Sequence, residues 1–352
     1  MRNPGWVLLV GALALPAGAQ PASAPDAQLQ RVQVEGQSAV AREKKTLAQL
    51  FKAQALFDKY RGLAPKAPLM FKVYARTQAE TTQALELGLM APGGRQPVVL
   101  DAQDRFVIDP AWRELPDVTE VRSRLADGRV TWRPDIRTPG VPDGERRLGD
   151  LRLQCRVGFD SGVARGLTGL AWLLSLGADE CDDPEWSPSN FADQPVFAVT
   201  LVHGERRLTV SEGLLHGLRD GSGESYDWGY SLRERMFRVP LGDPSWPDDT
   251  RVVIEAMDAP AVASEPGLSE RADAWTEAAL KLPPGMAVAE LVERLGKPDD
   301  DTRFESGRRL LRHLHAIETA DGPRRLELVT VFDADGRLLK SALRRLGAKQ
   351  RY

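Results

Sequence analysis

Cysteine is scarce in this chain, with only Cys155 and Cys181 among 352 residues. No Cys-x-x-Cys pair is present, which excludes the usual spacing of a dithiol redox centre or a zinc ribbon. Histidine is nearly as rare, at four. Neither Gly-x-Ser-x-Gly nor His-Glu-x-x-His occurs, nor a glycine-rich phosphate or dinucleotide loop, so no familiar catalytic signature is present and no cofactor is implied. Charge of one sign is also missing: the formal net charge is −3. Composition therefore points to no nucleic-acid partner. After residue 15 no apolar run approaches the roughly 20 residues of a transmembrane helix.

What is present begins with an export pattern. Arg2 precedes the apolar stretch Trp6–Leu15, and Ala17-Gly18-Ala19 fits a small-residue cleavage site. We expect a signal peptide over 1–19, cleaved after Ala19, and a periplasmic or secreted protein. An uncleaved anchor or a buried helix is the alternative. No cysteine follows the apolar run, so a lipid anchor is not expected. In an oxidising compartment two cysteines suggest one disulfide, Cys155 to Cys181, with two free thiols as the other reading.

Residues 20–42 are rich in Pro, Ala, Ser and Gln and read as a flexible lead-in. Leu47, Leu50, Phe51, Phe57 and Tyr60 then recur at helical spacing, with Gly62 as a stop. From Leu69 to Met257 the pattern changes to short alternating runs bounded by Gly, Pro, Asn and Asp. Hairpin turns are expected at Asp127-Gly128 and His203-Gly204. Residues 43–258 are thus expected to form a helix plus an antiparallel β-sandwich-like domain. "DLRLQCRVGF" is read there as a strand carrying Cys155, and residues 163–180 as a short helical insertion.

An Ala-, Pro- and Ser-rich linker is expected over 259–268, followed by a small ααβββ domain over 269–352. The fold class is therefore mostly β with α+β character. In "SERADAWTEAALKL" Ser269 is the expected N-cap. In "LPPGMAVAELVERLGKPDD" Pro283-Pro284 ends one helix and Gly285 permits re-entry. Leu291, Val292 and Leu295 share an apolar face, and Gly296, in a left-handed conformation, ends the helix before Pro298. Three strand-like runs close the chain.

Gly285, Met286, Leu291, Leu295, Gly296 and Pro298, with "VFDADGRL" at 331–338, resemble the small outer-membrane-assembly lipoprotein family of the SmpA/OmlA type. Its fold is similar to that of β-lactamase inhibitor proteins. The resemblance covers about a fifth of the chain and implies an assembly factor or an inhibitor that binds another protein. Two positions depart from it: Ala287 stands where the family has a capping Thr, and the lipid-attachment cysteine is absent.

Candidate sites are few. Between Arg303 and Arg351 there are twelve Lys or Arg against six Asp or Glu. Arg309, Arg312, Arg325 and Arg344 alternate with apolar residues, as expected of strands with one packed and one charged face. Such a face would bind an acidic envelope protein; the bland reading is the polar side of an ordinary sheet. Tyr226, Trp228 and Tyr230 would share one face of an extended stretch and could stack on sugar rings of peptidoglycan or a polysaccharide, or simply pack in a core. His313 and His315 could share a metal, but no third ligand is near them in sequence, and no metal site is expected. The acidic run from Asp179 to Glu185 lacks the Asp-x-Asp-x-Asp-Gly pattern of a calcium loop. A carboxylate pair that converges in a cleft leaves no mark in sequence spacing, so an enzyme remains the alternative.

Overall fold

A computed structural model describes residues 44–76, 85–125, 129–164, 181–183, 188–217, 232–259, 273–319 and 322–346. The first element is a short strand, β1 (Lys44–Thr46), which runs straight into α1 (Leu47–Tyr60). Thr46 caps that helix: its side chain accepts from Gln49 N–H, and the Gln49 side chain reaches back to the Thr46 N–H, a reciprocal capping box. Leu47, Leu50, Ala53 and Phe57 turn inward.

Two antiparallel sheets receive α1. One is ordered β1-β6-β3-β4, with β3 (Leu87–Ala91), β4 (Gly94–Val98) and β6 (Glu120–Ser123). The other is β5-β2-β7, with β2 (Leu69–Ala75), β5 (Arg105–Phe106) and β7 (Val130–Ile136). Phe71, Phe106 and Trp132 meet between them at centroid distances of 5.3–5.9 Å.

The segment around Cys155 is not a strand. It is α2 (Leu148–Ser161), and the reason is two-sided burial. Leu148, Leu151 and Cys155 face one apolar cluster, while Leu153 and Val157 face the cluster under α1. A helix wedged between two cores puts apolar residues at 151, 153, 155 and 157, which imitates the alternation of a strand. Gly162, at φ +80°, ends it.

The second cluster lies on the sheet β11-β10-β13-β8. Its strands are β8 (Glu145–Arg147), β10 (Val196–His203), β11 (Arg206–Thr209) and β13 (Arg251–Ala256). β10 and β11 form the expected hairpin, with His203 paired to Arg206 across Gly204 at φ +55°. A two-stranded ribbon, β9 (Asn190–Phe191) with β12 (Met236–Phe237), lies alongside in sequence. Cys155 and Cys181 form a disulfide with Cα atoms 5.9 Å apart, closing a loop of 26 residues. The turn expected at Asp127-Gly128 and all but the first two residues of the helical insertion expected over 163–180 lie outside the described residues.

The C-terminal part is α3 (Ala274–Leu280), α4 (Val288–Leu295) and a sheet ordered β14-β15-β16-β17. Its strands are β14 (Asp300–Arg303), β15 (Arg309–Thr319), β16 (Gly322–Phe332) and β17 (Leu338–Arg345). The sheet has four strands where three were expected: "DDTR", too polar to read as a strand, is the edge strand β14. Ser269 lies outside the described residues, and the cap of α3 is Asp273, whose side chain accepts from Thr276 N–H at 2.8 Å.

At α4 the missing threonine cap is replaced by backbone. Gly285 N–H donates to Leu338 O, Leu338 N–H to Met286 O, and Val288 N–H to Gly336 O, so the helix entry pairs with the start of β17. Gly296 has φ +91° and ψ −177°, an extended glycine conformation rather than the left-handed one expected. The described chain is mostly β, every strand pairing in it is antiparallel, and all of it belongs to one compact unit, Val40–Tyr352. None of its helices is long and apolar enough to cross a membrane.

Candidate protein-docking site

The site is built on β15 and β16, which pair along eleven positions from Arg309↔Phe332 to Thr319↔Gly322. Side chains alternate between two faces. Leu311, Leu326, Leu328 and Leu343 face α3 and α4, where Leu291 is fully buried. Leu310, Val329 and Val331 face the other way and share a cluster with Phe197 and Ala198 of β10 and with Met257, just past β13. Both faces of the middle of this sheet are therefore covered. The linker expected over 259–268 lies almost wholly outside the described residues, and the chain on its two sides meets in this common core.

That second face corrects the placement of two candidate arginines. Arg312 and Arg344 do not form an exposed charged surface. Arg312 Nε donates to Glu327 Oε1 and Arg344 Nε to Glu327 Oε2, each at 2.7 Å, while Arg312 Nη1 donates to Asp300 at 3.0 Å. Glu327 is fully buried. It also accepts from Ser211 Oγ at 3.2 Å and from Glu212 N–H at 3.3 Å. The physical reason is that an inward carboxylate needs cations, and Arg344, directly opposite on β17, with Arg312, diagonally across on β15, supplies them. Burial by itself raises the Glu327 carboxyl, but Arg344 and Arg312 outweigh it and hold the group below the usual range.

Beside this cluster His216 is fully buried at φ +62°, with Nε2 2.9 Å from Val196 O and Nδ1 3.3 Å from Glu212 Oε1. A carbonyl only accepts, so Nε2 carries the hydrogen that faces Val196 O. Arg308 and Lys340 complete the joint. Arg308 bonds Glu234 and Asp258, and Lys340 bonds the carbonyls of Ala256 and Ala259.

The basic excess that begins at Arg303 follows three consecutive aspartates, Asp299 to Asp301. The fold returns them to the sheet: Arg309 forms a bidentate pair with Asp301 at 2.8 and 2.6 Å, and Arg312 takes Asp300. Of the four candidate arginines, Arg309 is thus half-buried and paired, and Arg325 is exposed. Arg324 and Arg345, beside it at the far end of the sheet, are exposed as well.

His313 and His315, the two candidate ligands, each contact other groups of the fold. His313 Nε2 lies 3.1 Å from Gly296 O, and His315 Nε2 lies 2.6 Å from Asp273 with its ring stacked on Trp275 at 4.4 Å. Among the described residues no group of three or more His, Cys, Asp or Glu is placed to hold a metal ion. Tyr226, Trp228, Tyr230, Ala19 and most of the acidic run 179–185 lie outside the described residues.

A second polar cluster went unread in the sequence because its members are far apart in it. Asp193 binds Lys72 at 2.5 Å and Arg137 at 2.6 Å, and Arg137 Nε binds Asp135 at 2.9 Å. Burial pushes the Tyr74 hydroxyl well above its ordinary value, and Asp135 adds to this. Tyr74, Gln154, Asn190 and Phe191 line a narrow cleft next to the disulfide.

No family model, no curated protein and no solved structure matches this chain.

Proposed function

We infer that the protein is exported to the cell envelope and binds another protein through its C-terminal sheet, without catalysis. The observation that carries this reading is the uneven length of that sheet. β15 and β16 run eleven residues each, whereas among the described residues β14 covers only Arg309–Arg312 and β17 pairs with Leu326–Phe332, followed by one further bond from Leu346 N–H to Arg325 O. Among the described residues the far end of the hairpin therefore extends past β14 on one side and, beyond Arg325, past the pairing of β17 on the other; it carries the exposed Arg324 and Arg325, with Arg345 beside them. Arg309, Arg312 and Arg344 are each already paired with a carboxylate of this chain.

Further support comes from the helix entry at Gly285-Met286 and the Leu-Gly-x-Pro exit at 295–298. These resemble the outer-membrane-assembly lipoproteins, and the assembly or inhibitory role comes with that resemblance. The disulfide fits an oxidising compartment, and the apolar stretch ahead of Ala19 fits export to it.

The test has two arms. Fractionation with mass spectrometry should find the chain in the envelope with Gln20 at its N-terminus. Capture from envelope extract should recover a partner with the wild type and lose it with Arg324→Glu plus Arg325→Glu. A cytoplasmic chain retaining Met1, or equal capture by both proteins, contradicts the reading.

A further inference from the structure

An edge strand leaves a row of backbone donors and acceptors unpaired, which proteins either cover or use to add a strand from a partner. The direction of that row on β15 can be read from its first contacts. Arg312 O accepts from Asp299 N–H at 2.8 Å, and Leu314 N–H donates to Asp299 Oδ2 at 2.6 Å. The even-numbered residues of β15 thus turn their N–H and C=O groups away from β16. Past Leu314 no strand among the described residues pairs with this edge, and Ala316 is exposed.

The covered part of the same edge shows which chemistry suits it. Its own neighbour is the acidic strand β14, where Asp300 lies opposite Arg312 and Asp301 grips Arg309. Asp299 then ends the row with a carboxylate on a strand N–H. On the open part the cation is Arg325, which lies opposite Ala316 on β16 and is exposed. Alanine is the smallest side chain that could separate it from an incoming strand. Two strand spacings of about 4.8 Å are a distance that an arginine and a carboxylate, reaching over an alanine, can close.

We propose that the outer edge of β15, from Leu314 to Glu318, accepts an extended acidic segment of a partner protein as an added strand. The segment is hydrogen-bonded to Ala316 and Glu318 and places a carboxylate on Arg325. This rests on the protein-binding reading above and specifies where and by what chemistry the partner docks. Arginine suits the contact because its fork matches a carboxylate bidentately, as Arg309 already does with Asp301.

The probe is an eight-residue peptide alternating Val and Asp, titrated to millimolar concentration into the isotopically labelled full chain and followed by amide NMR. A Val/Lys peptide is the control. Shifts should concentrate at Leu314–Glu318 and Arg325, weaken with added salt, and be absent with the Val/Lys peptide. Arg325→Glu should weaken binding by about tenfold. Ala316→Pro, which removes an outward N–H and no internal one, should weaken it by about fivefold. Retained dispersion of the remaining spectrum verifies that both variants fold.

Equal shifts with both peptides, no shift at this edge, or unchanged affinity in both variants overturns the proposal. So does a dimer that Ala316→Pro dissolves, because the occupant is then a second copy of the chain. If the peptide fails while the capture experiment still loses its partner on reversal of Arg324 and Arg325, this strand addition falls and the docking reading stands. If both fail, both fall.

Discussion

Glu327 shows how one residue decides what its neighbours do. Placed inward on β16, it draws Arg312 and Arg344 off the surface and ties them to Ser211 and Glu212 of the preceding part of the chain. Glu327→Gln leaves two guanidiniums in a buried site with a neutral partner, and should lower stability by about 3 kcal/mol. Equilibrium urea unfolding at neutral pH measures this. The folded-state pKa of Glu327 is depressed, so its contribution is present above the unfolded value of 4.5 and is lost as pH falls through the lower folded value. The gap between wild type and variant should accordingly close in acid. A gap that persists there would mean that the variant fails by packing and not by charge.

Asp273 works by the same rule at the surface. Burial alone raises its carboxyl, but the bond from His315 and the N–H of Thr276 bring it down to about 2. Its capping is therefore complete above the unfolded value of 3.8 and fades as pH falls toward about 2. Asp273→Ala should cost about 1 kcal/mol at neutral pH, read as a shift in the urea midpoint.

At the scale of elements, the legible parts were those with a single buried face. α1, with Thr46 and Gln49 at its start, and α4, with Leu291 and Leu295 inward, both follow from apolar spacing. The β10–β11 hairpin follows from its turn residues, His203-Gly204. What escaped was two-sided burial. α2 presents Leu151 and Cys155 to one core and Leu153 and Val157 to another, so its pattern has a strand's period.

The same effect hid the second face of the C-terminal sheet, where alternation of Leu and Arg looks identical whether the arginines meet water or a buried glutamate. β14 was lost because an acidic strand held by arginines needs no apolar residues. Leu291→Ala, at the centre of α4, should cost about 3 kcal/mol through the cavity it leaves. Cys155→Ser opens the 26-residue loop and should cost about 3–4 kcal/mol in the loop-entropy account. Denaturant midpoints of purified variants check both.

For the whole molecule, the shared core of Phe197 and Met257 with Leu310, Val329 and Val331 makes the C-terminal sheet an integral layer. A fragment spanning 269–352 would expose that apolar face together with Glu327. It should be poorly dispersed by NMR or aggregate, whereas the intact chain unfolds with both parts coupled. The docking proposed above is therefore to be sought at the end of β15 and β16 that this layer leaves exposed.

The most direct measurement places a photo-crosslinking amino acid at Ala316, at Arg325 and, as a control, at exposed Val99 just past β4, in the full chain produced in its own cells. The account predicts one envelope protein joined covalently from Ala316 and Arg325 and not from Val99. An adduct formed only from Val99, or from Ala316 and Arg325 only to a second copy of this chain, would contradict it.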